Sequence, residues 1–388
     1  MEISKSILYV GVDDHELDLF EGQFIIPEGV SYNSYIIEDE KITVMDTVDD
    51  NATDEWLVNV ENVLKGRKPY YLVLSHVEPD HSASIGAFIE KYPDTIIVGN
   101  TNTFKFVSQF YGGEFEIPEE KKLVVKEKDT LELGTHKLTF MMATMVHWPE
   151  VMVSFEETDK VLFAADGFGK FGAIDTYDGD WACEARRYYF NIVGKYGMNV
   201  QMLLKKVAEY DIQTICPLHG PVLNENLGYY LNLYDTWSKY EPENEGILIA
   251  YATMHGNTKK AAEKLAEIIK SKSDVKVVVS DVARDDLAEV IEDAFRYDRM
   301  VVCAPTYNTG LNPKMEDLLR HLAGYAYQNR KVGIIENGTW APQAGNKMKE
   351  IIKTMKDIKL LEPMVTIKSS LKEENMEALN ALADALLR

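Results

Sequence analysis

The chain has 388 residues, 46% of them hydrophobic and 27% charged, with a formal charge of −22. That length predicts two folded units at roughly 100–200 residues per domain, and the composition is that of a globular protein with no bias toward disorder. The acidity excludes nucleic acid and anionic lipid as expected partners, because phosphate contacts need clustered Lys and Arg.

The first twenty residues carry acidic groups and lack a basic flank followed by an apolar stretch, so no secretory signal is expected. No apolar run approaches the roughly 20 residues needed to cross a bilayer. Cys183, Cys216 and Cys303 form no C-x-x-C pair, which predicts neither a disulfide framework nor a rubredoxin-like or iron–sulfur module within these residues. A reducing, cytoplasmic setting is expected.

In chain order, the first 240 or so residues open with β-rich segments, Ile7–Val12, Tyr35–Ile37 and Ile42–Asp46, and predict an α+β or layered fold. Next comes an apolar strand, beginning at Leu72, that runs directly into His76, Glu78, Asp80 and His81. A strand end fixes the origin of such side chains while the loop after it lets them converge, which is what a metal requires. His147 follows the apolar run 140–146, Asp166 follows 161–165 and His219 follows 214–218. A lone histidine after a strand is usually a satisfied structural residue. Four histidines and three carboxylates, each at the end of an apolar segment, are enough for two metal ions with open positions.

Tyr240–Glu245 breaks the periodicity and is the expected linker, which places the domains at 1–243 and 244–388. Beyond it, short apolar runs alternate with amphipathic stretches. Strands are expected over Gly246–Thr253, Val275–Ser280, Met300–Ala304, Lys331–Glu336 and Pro363–Ile367, and a packing helix over Leu371–Arg388. This is the pattern of a doubly wound parallel sheet of flavodoxin type, whose ligand sits at the carboxyl ends of the strands.

The loops at that edge are therefore informative. The first, Thr253, Met254, His255, Gly256, Asn257 and Thr258, opens a helix near Lys259 and offers hydroxyls, an amide and helix N-terminal N–H groups to a phosphate. The third strand ends in Pro305, Thr306, Tyr307, Asn308 and Gly310, and the fourth in Asn337, Gly338, Thr339 and Trp340. Aromatic faces at these positions suit an isoalloxazine.

The pattern His76-x-Glu78-x-Asp80-His81 with later His147, Asp166 and His219 resembles the metallo-β-lactamase-like superfamily, which implies an αββα fold. Glu78 stands where zinc hydrolases of that superfamily carry histidine. With the flavodoxin-like second half, the chain resembles the flavodiiron proteins (A-type flavoproteins) that lack a fused rubredoxin domain. The segments Met145–Pro149 and Asp166–Gly169 add to that resemblance. It implies two non-haem irons, one held by His76, Glu78 and His147 and the other by Asp80, His81 and His219, with Asp166 bridging. It further implies FMN on the second domain, with His255 standing where relatives often carry Trp or Tyr.

The implied activity is reduction of dioxygen to water, here taken as preferred, or of nitric oxide to nitrous oxide. An external donor such as rubredoxin, a flavin reductase or reduced deazaflavin is implied, as is a head-to-tail homodimer or a dimer of dimers. The competing readings are a binuclear zinc hydrolase with an accessory flavodoxin domain and an FMN electron carrier with a vestigial metal site. Trp148 is either a wall of the substrate pocket or a core indole, and structural roles are expected for Tyr32 and Asn33.

Overall fold

The computed structural model describes residues 2–388. Two compact units are present: one formed by the chain up to Tyr189 together with Met198–Asp235, the other by Phe190–Gly197 together with Thr236–Arg388. Among the described residues no helix is long and apolar enough to cross a membrane.

The first unit holds two principal sheets. The six-stranded one runs Ile7–Tyr9, Tyr35–Ile37, Thr43–Met45, Tyr71–Val73, Ile96–Gly99, Lys122–Val124, antiparallel through its first three strands and parallel thereafter. The five-stranded one runs Thr130–Glu132, Lys137–Met142, Met152–Glu156, Val161–Phe163, Thr214–Cys216, with only its last pair parallel. Period-2 alternation explains the layering. Ile37, Met45, Tyr71, Val73 and Val98 meet Leu138, Phe140, Met152, Val161 and Phe163 in one apolar layer. Ile36, Val44, Leu72 and Ile97 point the opposite way and are also buried, which requires a helical cover. Helices Thr53–Leu64 and Ile85–Lys91 bury Trp56, Val60, Leu64, Ile85 and Phe88, and the Trp56 and Phe88 rings lie 5.5 Å apart.

In the second unit the main sheet runs Lys276–Asp281, Asn244–Tyr251, Tyr297–Tyr307, Arg330–Asn337 and then Ile358–Leu360, every neighbouring pair parallel. This is the flavodoxin order, in which the first and third strands diverge at the ligand crevice. Ile247, Ile249 and Tyr251 pack with helices Asn257–Lys272 and Met376–Leu386 on one face. Helices Leu287–Arg296 and Pro313–Gly324 contact Tyr297–Tyr307, whose Met300 and Val302 are fully buried.

The expected strand Pro363–Ile367 is the shorter Val365–Ile367, and an additional strand, Ile358–Leu360, precedes it, both beside Arg330–Asn337. Pro363 has no N–H to give a ladder and falls in the gap between them. The first helix begins at Asn257 rather than near Lys259, and the terminal helix is Met376–Leu386 with Leu379, Leu382 and Leu386 buried. In the first unit, Ile7–Val12 divides into strands Ile7–Tyr9 and Val12–Asp14. Asn244 and Glu245, expected in the linker, are the first residues of a strand.

Candidate metal centre and flavin cleft

In the first unit, the ligand-type residues follow the carboxyl ends of four segments. Tyr71–Val73 is fully buried and leads to His76, after which Pro79 starts the short helix Pro79–Ser82 that turns Asp80 and His81 inward. His147 lies between Lys137–Met142 and Met152–Glu156, Asp166 follows Val161–Phe163, and His219 follows Thr214–Cys216.

These residues converge as two groups. His76, Glu78, His147 and Asp166 form one, and Asp80, His81 and His219 the other. In the first group, His147 Nε2 lies 3.0 Å from both Glu78 Oε2 and Asp166 Oδ2. His76 Nε2 lies 3.2 Å from Glu78 Oε2 and 3.4 Å from Asp166 Oδ2. In the second, His81 Nε2 and His219 Nε2 are 3.0 Å apart and each is 3.3 Å from Asp80 Oδ2. Asp166 turns its other oxygen to this group, with Oδ1 3.3 Å from His81 Nε2 and 3.8 Å from His219 Nε2.

The second unit carries a cleft of about 410 Å³ at the carboxyl edge of its sheet. It is lined by Thr253, Met254, His255, Asn257, Thr258, Pro305, Thr306, Tyr307, Asn308, Asn337, Gly338, Thr339 and Trp340, all singled out from sequence. Gly256 and Gly310 sit beside it in backbone roles. Gly256 is the N-cap of Asn257–Lys272 at a φ of 82° and donates its N–H to Thr253 Oγ1 at 3.0 Å. Gly310 pairs with Tyr307 across a tight turn. No side chain caps that helix, and its first turn, Asn257 and Thr258, opens on the cleft, a ready anion site. Thr309, Ala341, Gln343 and Ser369 complete the lining.

The comparisons with known proteins follow the same division. A family model described as ODP family beta lactamase matches residues 30–220, and one described as flavodoxin domain matches 248–365. The anaerobic nitric oxide reductase flavorubredoxin of Aliivibrio fischeri is 30% identical over 351 residues, covering 88% of this chain and 70% of that protein. The chain belongs to the flavodiiron protein family. Two solved structures of that kind superpose on it, each with a TM-score of 0.91 and each covering 100% of this chain. They are the rubredoxin:oxygen oxidoreductase of Desulfovibrio gigas, at 26% identity over 97% of its length, and the flavodiiron protein of Giardia intestinalis, at 25% over 95%.

Whether the residues fit two metals can be tested on this flavodiiron chain's own atoms. Donors about 2.1 Å from a first-row metal are about 3.0 Å apart along an octahedral edge and about 3.4 Å along a tetrahedral one. The 3.0–3.4 Å separations within each group match that range. His219 Nδ1 donates to the Ser31 carbonyl at 2.7 Å, so in the neutral ring Nε2 carries the lone pair and faces His81 Nε2. Asp80 Oδ1 and Asp166 Oδ1 are buried and accept no hydrogen bond from the described residues. Bare acceptors crowded in this way are costly unless a cation lies among them.

The charge balance agrees. Burial opposes charge on His76, yet Asp166, Glu150 and Glu78 outweigh it and hold its pKa well above the ordinary value. Burial is likewise overcome at His147, where Asp166 and Glu78 raise the pKa to about 9, and at His81 by Asp80 and Asp166. Burial would raise Glu78, but hydrogen bonds from His147 and His76 pull it down to about 2. Asp166 is held well below the carboxylate range, the nearby imidazoles overriding its burial. Without metal, protons stand where cations would.

Surrounding groups fix the ligands. His76 Nδ1 donates to Glu150 Oε1 at 2.7 Å, and Asp46 accepts the Ser75 N–H at 2.6 Å. Asn33 donates to the Pro217 and Gly220 carbonyls at 2.9 and 2.8 Å, clamping the turn that carries His219. Tyr32 is buried with its ring 6.2 Å from His219. Trp148 is half-buried, edge-on to His76 at 5.3 Å and stacked on Phe110 at 6.1 Å. Sequence reasoning missed Glu150, whose signal is an acid three residues after His147, and Ser369, which follows the last strand of the sheet at the very edge being searched.

Proposed function

We propose that this flavodiiron protein is an oxidoreductase that reduces dioxygen, its preferred substrate, or nitric oxide at a diiron site supplied with electrons by FMN. The diiron domain is assigned to residues 1–243 and the FMN domain to 244–388. The observation that carries the reading is Asp166, whose two oxygens face two separate donor sets. His76, Glu78 and His147 would hold one iron, Asp80, His81 and His219 the other, and Asp166 would bridge them. Such a donor set of imidazole and hard carboxylate oxygen suits iron. The preference for dioxygen is supported by the Desulfovibrio gigas protein, named for oxygen and matched over nearly its whole length.

When bound, the irons supply electrons and open positions to a diatomic gas, and the flavin supplies those electrons singly. The chain's own residues set the stage. Glu150 and the Ser31 carbonyl each hold a proton on Nδ1, of His76 and His219 respectively, so that with a metal in place of the proton at His76 Nε2 both rings would present the Nε2 lone pair. Phe20 and Tyr188 pack against the His219 ring at 5.3 and 5.6 Å, and Trp148 against His76, giving the ligands apolar neighbours that limit water. In the cleft, Thr253, Asn257 and Thr258 with the helix N-terminus would bind the phosphate, and Tyr307 and Trp340 offer ring faces to the flavin. The proposal extends to a cytoplasmic head-to-tail homodimer, or dimer of dimers, reduced by an external donor such as rubredoxin or reduced deazaflavin.

The test is anaerobic stopped-flow on protein with measured iron and FMN, fully reduced and mixed separately with each gas. Rapid flavin reoxidation is expected with both, and faster with dioxygen. Normal flavin reduction with no iron-dependent reoxidation by either gas would leave an electron carrier. Zinc in place of iron, with hydrolytic activity, would leave a hydrolase.

A further inference from the structure

The two donor groups have matched ligand types but are backed differently. His219 Nδ1 donates to a neutral backbone carbonyl, that of Ser31, at 2.7 Å. His76 Nδ1 donates to a side-chain carboxylate, Glu150 Oε1, also at 2.7 Å, and both side chains are 0% exposed. His81 Nδ1 has no hydrogen-bond partner among the described residues. Among these three histidines, His76 alone is backed by a carboxylate.

Glu150 is built into place. Its Oε1 also accepts the Val77 N–H at 3.2 Å, tying it to the segment between His76 and Glu78. Its backbone carbonyl accepts from Asn100 Nδ2 at 2.5 Å, and Asn100 is itself fixed as the N-cap of helix Thr101–Tyr111. Its Oε2 is buried without a partner among the described residues. An arrangement that buries a carboxylate with one oxygen unsatisfied is costly as structure alone. A carboxylate on the far nitrogen of a ligating imidazole strengthens the near nitrogen as a donor, and a neutral carbonyl does so less.

We propose that Glu150 is a positioning residue that makes the metal position at His76, Glu78 and His147 the tighter of the two. This rests on the two-metal reading above but not on which metal is native. The first equivalent of a divalent ion added to metal-free protein fills that position, and the second fills the position at Asp80, His81 and His219.

The experiment loads metal-free full-length protein anaerobically with one and then two equivalents of ⁵⁷Fe(II), and in parallel with Co(II), in chelator competition. Mössbauer and Co(II) electronic spectra report which environment is occupied. Wild type should show a single environment at one equivalent. In Glu150→Gln, which keeps an oxygen for His76 but removes the charge, affinity for the first ion should fall about 10- to 100-fold, and one equivalent should spread over both environments. Asn100→Ala should give the same loss of selectivity in weaker form, which keeps the test alive if Glu150→Gln does not fold. Equal filling of both environments in wild type, or loss of both ions together in folded variants, overturns the proposal. Zinc as the native metal would end the diiron reading yet leave the Co(II) experiment to decide the role of Glu150.

Discussion

The metal centre and the flavin cleft are built by opposite means. In the metal centre His76, His81, Asp166 and His219 are almost wholly buried on segments that leave strand ends, and His76 and His219 are also fixed by hydrogen bonds behind the ring. In the cleft, Met254, Tyr307 and Trp340 are exposed by 48%, 45% and 89%, on loops beyond the strands. A cation needs its donors within tenths of an ångström before it arrives, whereas a large planar cofactor supplies much of its own contact area and tolerates adjustable walls. Substitution should therefore be all-or-none in the first region and graded in the second.

The largest effect is expected at Asp166, the one residue among those described that faces both donor groups. Asp166→Ala removes the shared carboxylate and leaves the imidazoles without the charge that holds them, so metal content should fall from two ions per chain to below one by elemental analysis. FMN content should be unchanged. Retention of both ions would show that the two groups are independent sites and that nothing bridges them. A smaller but definite loss is expected at Asn33, which supports the centre without touching metal. Asn33→Ala leaves the buried Pro217 and Gly220 carbonyls without its two donors. A cost of about 2 kcal/mol follows, read as a melting transition lowered by roughly 5 °C, with the flavin signal melting as before.

The same contrast governs what could be read from sequence. The ligands were legible because four of them follow one apolar strand within six residues and His147, Asp166 and His219 each follow an apolar run, and a buried strand that delivers His or Asp straight into the interior rarely does so for packing alone. Glu150 was not, because an acid after Trp148 and Pro149 looks like any loop acid until folding brings it 2.7 Å from His76, 74 residues earlier in the chain. In the second unit the βα alternation gave the sheet and three of its loops. Ser369 was missed since its partner, Asn337, lies 32 residues away, and only the fold shows the two exchanging side chain-to-backbone hydrogen bonds at 2.9 and 3.1 Å. One short strand was also hidden: Ile358–Leu360, read Ile-Lys-Leu, alternates over only three residues, too few to mark a strand. The grouping of Phe190–Gly197 with the second unit is a long-range packing outcome, with Phe190 stacked on Phe295 at 4.2 Å, and no local pattern encodes it.

In the cleft the effects should shrink in order of rigidity. Thr253 is the most fixed part, because its hydroxyl accepts the Gly256 N–H at 3.0 Å and so holds the glycine in its left-handed conformation at the helix start. Thr253→Val keeps the shape and removes that bond and one donor to phosphate. FMN affinity should fall about tenfold, the equivalent of roughly 1.4 kcal/mol, in a fluorescence titration. An affinity loss as complete as the metal loss in Asp166→Ala would mean that the cleft is as pre-set as the metal centre. Trp340 lies at the other extreme. At 89% exposure it buries almost nothing, so Trp340→Ala should change stability by no more than about 0.5 kcal/mol. What it should change is the flavin itself: an indole stacked on an isoalloxazine quenches its fluorescence, and removing the indole should brighten the bound cofactor while affinity drops only severalfold. An unchanged emission spectrum would place Trp340 away from the ring and leave Tyr307 as the aromatic wall of the site.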